Sequence, residues 1–229
     1  TFMFAGVRIS ELRGLKWDAV KFIKALNKAK QIIEYGEIKI FRTVVGNGGA
    51  LERVKKIGSL RTIIVHPQLV NILQRYKSLL NKHYSSIANT YVFPSLRWTD
   101  GKNTIPLSDR TITDWIKIAF ADLGYAKIKI RMQKDGIRRS FVQLLECEFD
   151  NNVTRTFRHF YCTAIKNSQR KHPEALTDNF SKSQSGHRDY NTFANIYGDH
   201  DNFDGSDEMK HRQVAAIEDA IPIGIGGGQ

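Results

Sequence analysis

Ala5-Gly6-Val7-Arg8-Ile9-Ser10-Glu11-Leu12-Arg13-Gly14-Leu15-Lys16-Trp17-Asp18 opens the chain with helical spacing. Wound as a helix over residues 3–15, it sets Phe4, Val7, Leu12 and Leu15 near one face, and Trp17 and Asp18 close the segment. Arg8 and Glu11 then lie one turn apart, where a carboxylate can steady a neighbouring guanidinium. A second arginine run, Arg155-Thr156-Phe157-Arg158-His159-Phe160-Tyr161-Cys162-Thr163, comes late in the chain, followed by Gly186-His187-Arg188-Asp189 and by Tyr197. A guanidinium stays charged and offers a planar fork of donors that matches a phosphate. A phenol attacks once its target phosphorus is electrophilic and its proton has somewhere to go. Two separated arginines, a histidine and a late tyrosine are thus the parts needed to clamp and attack a phosphodiester.

Composition points the same way. The 229 residues hold 35 Lys and Arg against 23 Asp and Glu, a formal charge of +12 that leans towards a polyanionic partner. A merely basic surface is the bland alternative, and charge alone does not separate the two. Cys147 and Cys162 are the only cysteines, so there is no disulfide framework and a reducing, cytoplasmic compartment is expected. Neither lies in a CxxC or Cys/His cluster, which argues against zinc. Apolar runs such as Thr62 to Val65 are far too short to cross a bilayer. The length suits one large domain over residues 1–229, read as a fragment that lacks an N-terminal DNA-binding domain, with 221–229 as a flexible tail.

Between the two runs the texture changes. Strands are expected at Gln31 to Ile33, Glu37 to Val45 and Ser59 to Val65, with Gly46-Asn47-Gly48-Gly49 as a hairpin turn. Pro67 starts an amphipathic helix to about Asn81, with Leu69, Ile72, Leu73, Tyr76 and Leu80 as its stripe. Tyr91 to Pro94 is a short buried piece and Thr99 to Asn103 a polar loop. Ser108 caps a helix that runs to Leu123 and ends at Gly124. Ile128 and Ile130 alternate with lysines and Arg131, while Ile137 to Phe149 reads as a helix. Further helices are expected: one that carries Arg158 and runs to about Asn167, one from Asn191 to Tyr197, and one from a cap at Ser206 to about Ala220.

At these motifs the chain resembles the catalytic domain of the tyrosine recombinases, the phage-integrase family. The resemblance implies an α+β, mainly helical fold with a small antiparallel β-sheet. It implies a DNA strand-exchange enzyme of a phage or mobile element, acting without a cofactor or metal on double-stranded DNA. The implied assembly is a tetramer on synapsed sites, a monomer when free, in a bacterial cytoplasm. Arg8 and Arg158 would clamp the scissile phosphate, with Glu11 steadying the network. His187 would donate to the phosphate, and Tyr197 rather than Tyr190 would be the nucleophile. Arg155 stands where the family usually has histidine; it can donate to phosphate but cannot accept a proton. A hairpin lysine would protonate the leaving oxygen, and aligning Arg61-Thr62-Ile63 with the closing strand selects Lys55, with Lys56 next.

Other readings stay open. Placing the second clamp at Arg138 or Arg139 lacks the family's following residues. A type IB topoisomerase shares the clamp and tyrosine but rejoins the original strand. A non-catalytic DNA-binding relative is the rival from a different class, and Arg155 is its basis. A generic RNA-binding protein is the weakest, since neither an RNP-type aromatic motif nor a KH-type loop is present.

Overall fold

The computed structural model describes residues 2–26, 30–45, 49–51, 60–83, 90–99, 104–133, 139–149, 152–185 and 207–221. The expected N-terminal helix is broken in two, α1 (Phe2–Ala5) and α2 (Ile9–Arg13). Gly6 causes the break: it sits at φ +55 with the Tyr161 ring packed against its α-carbon. Val7, Leu12 and Leu15 still reach the core, because the kink turns α2 without moving its apolar side outward.

β1 (Val20–Leu26), β2 (Ile32–Ile40) and β5 (Arg61–Val65) form an antiparallel sheet in the order β1-β2-β5. Ile38 pairs with Val20 on one side and Ile63 on the other, and it is wholly buried. Between β2 and β5 lies a short antiparallel pair, β3 (Thr43–Val45) with β4 (Gly49–Leu51), and most of the expected glycine turn between them, residues 46–48, lies outside the described residues. α3 (Pro67–His83) follows β5 and buries Leu69, Val70, Leu73 and Leu80, whereas Ile72 of the expected stripe faces solvent.

The expected mainly helical body with one small sheet does not hold. Among the described residues nine strands form one three-stranded and three two-stranded antiparallel sheets. One unforeseen pair is β6 (Pro94–Thr99) with β7 (Thr104–Pro106), flanking part of the segment read as a loop. The other is β8 (Ala126–Gln133) with β9 (Arg139–Cys147), and β9 occupies the stretch expected to be helical. Period-two pairing wins there: Ile128 faces Leu144 and Ile130 faces Val142 across the ladder, which a helix over the same residues would forfeit.

α4 (Asp109–Asp122) starts at the predicted cap, where Ser108 Oγ accepts from the Thr111 amide at 3.0 Å. α5 (Val153–Lys171) is longer than expected and runs through the core with Val153, Tyr161 and Ile165 buried. α6 (Asp178–Ser185) and α7 (Asp207–Ala220) pack against it. Gln184 of α6 is fully buried and joins that helix to β5, accepting from the Ile64 amide and donating to the Thr62 carbonyl. No helix of the described residues is long and apolar enough to cross a membrane. The expected helix at 191–197 and the tail beyond residue 221 lie outside the described residues.

Gly6→Ala should therefore be costly twice over, through its positive φ and through a methyl placed within 2.8 Å of the Tyr161 Cε1. Urea unfolding should record a loss of about 2–4 kcal/mol, and a change under 1 kcal/mol would show that the turn can relax.

Candidate phosphate-binding site

The site is built around the carboxylate of Glu11 on α2. Buried to 3% exposure, it accepts a two-point fork from Arg61 at the start of β5, with Nη1 to Oε1 at 2.9 Å and Nη2 to Oε2 at 2.8 Å. Arg8, the residue before α2, adds its backbone amide to Oε2 at 2.8 Å and its Nη1 to Oε1 at 3.1 Å. Burial pushes the Glu11 carboxyl up, but Arg61 and then Arg8 more than offset this and hold it below its ordinary value. Glu11 is accordingly ionised in the folded chain at neutral pH.

Arg158 enters from α5. It is buried, and its Nη1 donates to the Gly6 carbonyl in the turn between α1 and α2. Burial lowers its pKa, and the next largest cause is the charge of Arg8, with Arg61 adding in the same direction. The three guanidiniums from three distant segments are therefore electrostatic neighbours. The carboxylate of Glu11 lies among them, bonded to Arg8 and Arg61. Arg61 also keeps one buried donor, Nε, with no partner among the described residues. The Arg8 side chain is 44% exposed, so the cluster reaches the surface at that point. Such a concentration of forked donors suits the nonbridging oxygens of a phosphate.

Arg8 and Arg158, the two expected clamps, are thus brought together, and Glu11 stands between Arg8 and Arg61. Arg155 lies one turn earlier on α5, exposed, and its Nε donates to Nε2 of His159 at 3.0 Å. His159 is itself exposed and accepts that bond. Lys55, Lys56, His187, Tyr190, Tyr197 and Arg138 lie outside the described residues.

Arg61 is the member that sequence reasoning missed as a functional residue, having used it only to align a strand. Its signal was an arginine opening Arg61-Thr62-Ile63-Ile64-Val65, an otherwise apolar strand, in a chain with an acid on the buried side of the first helices. His66 was also passed over; it is buried against the Phe4 ring, and burial holds its imidazole below the usual range. Tyr161, in contrast, is a packing tyrosine, wholly buried with its phenol pushed far up by desolvation, and it cannot serve as a nucleophile. Compared with known proteins, the chain matches no family model, no curated protein and no solved structure.

Glu11→Gln should leave Arg61 buried without its counter-charge and cost about 3–5 kcal/mol of folding free energy, read by urea unfolding at neutral pH. The pH dependence adds a signature. With a folded-state pKa below the ordinary 4.5, Glu11 contributes stability that is present above that value and lost as pH falls below it. The variant should show a shallower loss of stability in that acid range, and identical acid limbs would show that Glu11 is not the titrating group.

Proposed function

We propose that the chain is a site-specific DNA recombinase of the integrase type, which cleaves and rejoins duplex DNA through a tyrosyl intermediate. One observation carries this reading: three arginines far apart in sequence are gathered at one place, Arg8 and Arg61 on the Glu11 carboxylate and Arg158 on the carbonyl of Gly6, two residues before Arg8. Groups so distant in the chain and so costly to bury together are retained where they share one polyanionic ligand.

In this mechanism Arg8 and Arg158 bind the nonbridging oxygens of the scissile phosphate and offset the charge that grows in the transition state. Tyr197 attacks phosphorus: its oxygen forms the new ester bond, the bond to the 5′ oxygen breaks, and the products are a 3′-phosphotyrosyl link and a free 5′ hydroxyl. His187 donates to the phosphate. Lys55, with Lys56 as its neighbour, delivers the proton to the leaving oxygen, and the phenol proton passes to water or to His187 because Arg155 cannot take it. The 5′ hydroxyl of a partner duplex reverses the step, so no nucleotide energy is spent. Exchange of this kind between synapsed sites in a tetramer serves the integration or excision of a phage or mobile element.

A second reading is favoured by one feature. Arg155 occupies the position expected for a proton acceptor and spends its Nε on His159, which fits a DNA-binding protein that retains the clamp and has lost the chemistry.

The two readings part on a suicide duplex whose nick lets the 5′-hydroxyl fragment diffuse away and traps the adduct on a denaturing gel. The unaltered chain should form the adduct, and Tyr197→Phe should form none while binding DNA almost unchanged. Arg158→Lys should slow it by about 10²-fold or more, since an ammonium keeps the charge and loses the fork. Arg155→His should raise the rate. Adduct formation by Tyr197→Phe but not by Tyr190→Phe would move the nucleophile, and none from any variant on the chain's own site would favour the binding protein.

A further inference from the structure

The β8–β9 ribbon takes no part in the clamp. Register sorts its two sides: Ile128, Leu144 and Val142 share one, while Lys127, Lys129 and Arg131 line the other. Val142 is buried, and its carbonyl accepts from Lys117 of α4 at 2.9 Å, so the apolar side rests on that helix. Lys127, Lys129 and Arg131 are all exposed, and β8 contains no acid. Among the described residues only Lys127 of these three has an acidic partner, Glu146 directly across the ladder at 2.6 Å. Lys129 faces Gln143, an uncharged partner.

From this arrangement we infer that the β8–β9 ribbon is a second contact for duplex DNA, seated at the major groove beside the cleavage site. The inference rests on the reading that the chain acts on duplex DNA and adds a surface to it. Alternate residues on a strand stand about 6.7 Å apart, close to the step between neighbouring phosphates along one DNA strand. Lys127, Lys129 and Arg131 therefore present their charges at a spacing that can follow a backbone. A two-stranded ribbon also has the width that the B-form major groove admits, whereas the deep, narrow A-form groove excludes it.

The ribbon is also held at a set distance from the clamp. Phe120 of α4 contacts Phe149, just beyond β9, and Phe157, the neighbour of Arg158; Phe149 in turn contacts Tyr125, just before β8. The Glu148 amide donates to the Tyr125 carbonyl at 3.0 Å and closes the base of the ribbon. A DNA duplex held by the ribbon is thereby held in a fixed register to Arg158.

The test is the salt dependence of binding to a fluorescently labelled random-sequence duplex, measured by anisotropy with the full chain. Lys129→Thr with Arg131→Thr keeps strand-forming residues while removing two charges. The slope of log affinity against log salt should become shallower by about 1.8, or 0.9 per lost phosphate contact, with weaker binding at every salt concentration. Adduct formation at saturating suicide duplex should be unchanged, and Lys129→Arg with Arg131→Lys should bind like the unaltered chain. An unchanged slope in the threonine variant, with Arg158→Lys still impaired in adduct formation, would overturn the ribbon contact and leave the enzyme reading standing. Loss of affinity for double-stranded RNA but not for DNA would overturn it as well. A flat salt response from the unaltered chain would overturn both.

Discussion

The Arg61–Glu11 ion pair is the constraint on which the rest of the site depends. It joins the first strand position of β5 to the middle of α2, and both side chains are at least 95% buried. Desolvating two charges costs several kcal/mol each, and the two-point fork between them recovers that only with good geometry. Such a pair is a poor source of net stability and a strong source of specificity, because α2 can sit on the sheet in one orientation only. With α2 so fixed, the Arg8 amide and side chain are bound to the same carboxylate, and the Gly6 carbonyl stands where Arg158 can reach it.

α5 is the second fixed point. Tyr161 fills the space above Gly6, Phe157 enters the aromatic contact with Phe120, and Arg158 lies between them in sequence. A side chain flanked by two packed aromatics on one helix has few rotamers left, so the guanidinium is placed before any ligand arrives. Pre-placement of this kind spares a site the entropy of ordering long charged side chains at the moment of binding. Arg13, buried and donating from Nε to the Leu107 carbonyl at 2.8 Å, performs a similar service between α2 and the start of α4.

Much of this was legible from local pattern. The strand Arg61–Val65 followed from its β-branched run, and α3 and α4 from apolar spacing and their starts at Pro67 and Ser108, whereas the two strands expected at 31–33 and 37–45 are divided differently, as Ile32–Ile40 and Thr43–Val45. The misses were of one kind. Gly6 looked like an ordinary helical glycine because nothing local reveals the Tyr161 ring that lies against it. Residues 139–147 carry both a helical and an alternating reading, and only the pairing with 126–133 selects the second. Arg61 was undervalued because its partner lies 50 positions away. In each case the deciding partner is remote in sequence, and periodicity is blind to remote partners.

The docking of α7 has a consequence for how the chain is made. Ala216 of α7 accepts a hydrogen bond from Ser168 of α5 at 2.8 Å, Lys210 pairs with Glu37 of β2 at 3.1 Å, and Val214, Ile217 and Ile221 are buried. α1 uses the same two supports, α5 and β5, from the other end of the sequence. On a translating ribosome the first helix therefore waits for α5, and the face shared by α5 and β5 stays open until residues 207–221 have left the exit tunnel. Completion is a late, long-range event, the regime in which loop closure slows folding and transient apolar surface invites misassembly. Nascent chains stalled before α7 would be the species that chaperones engage.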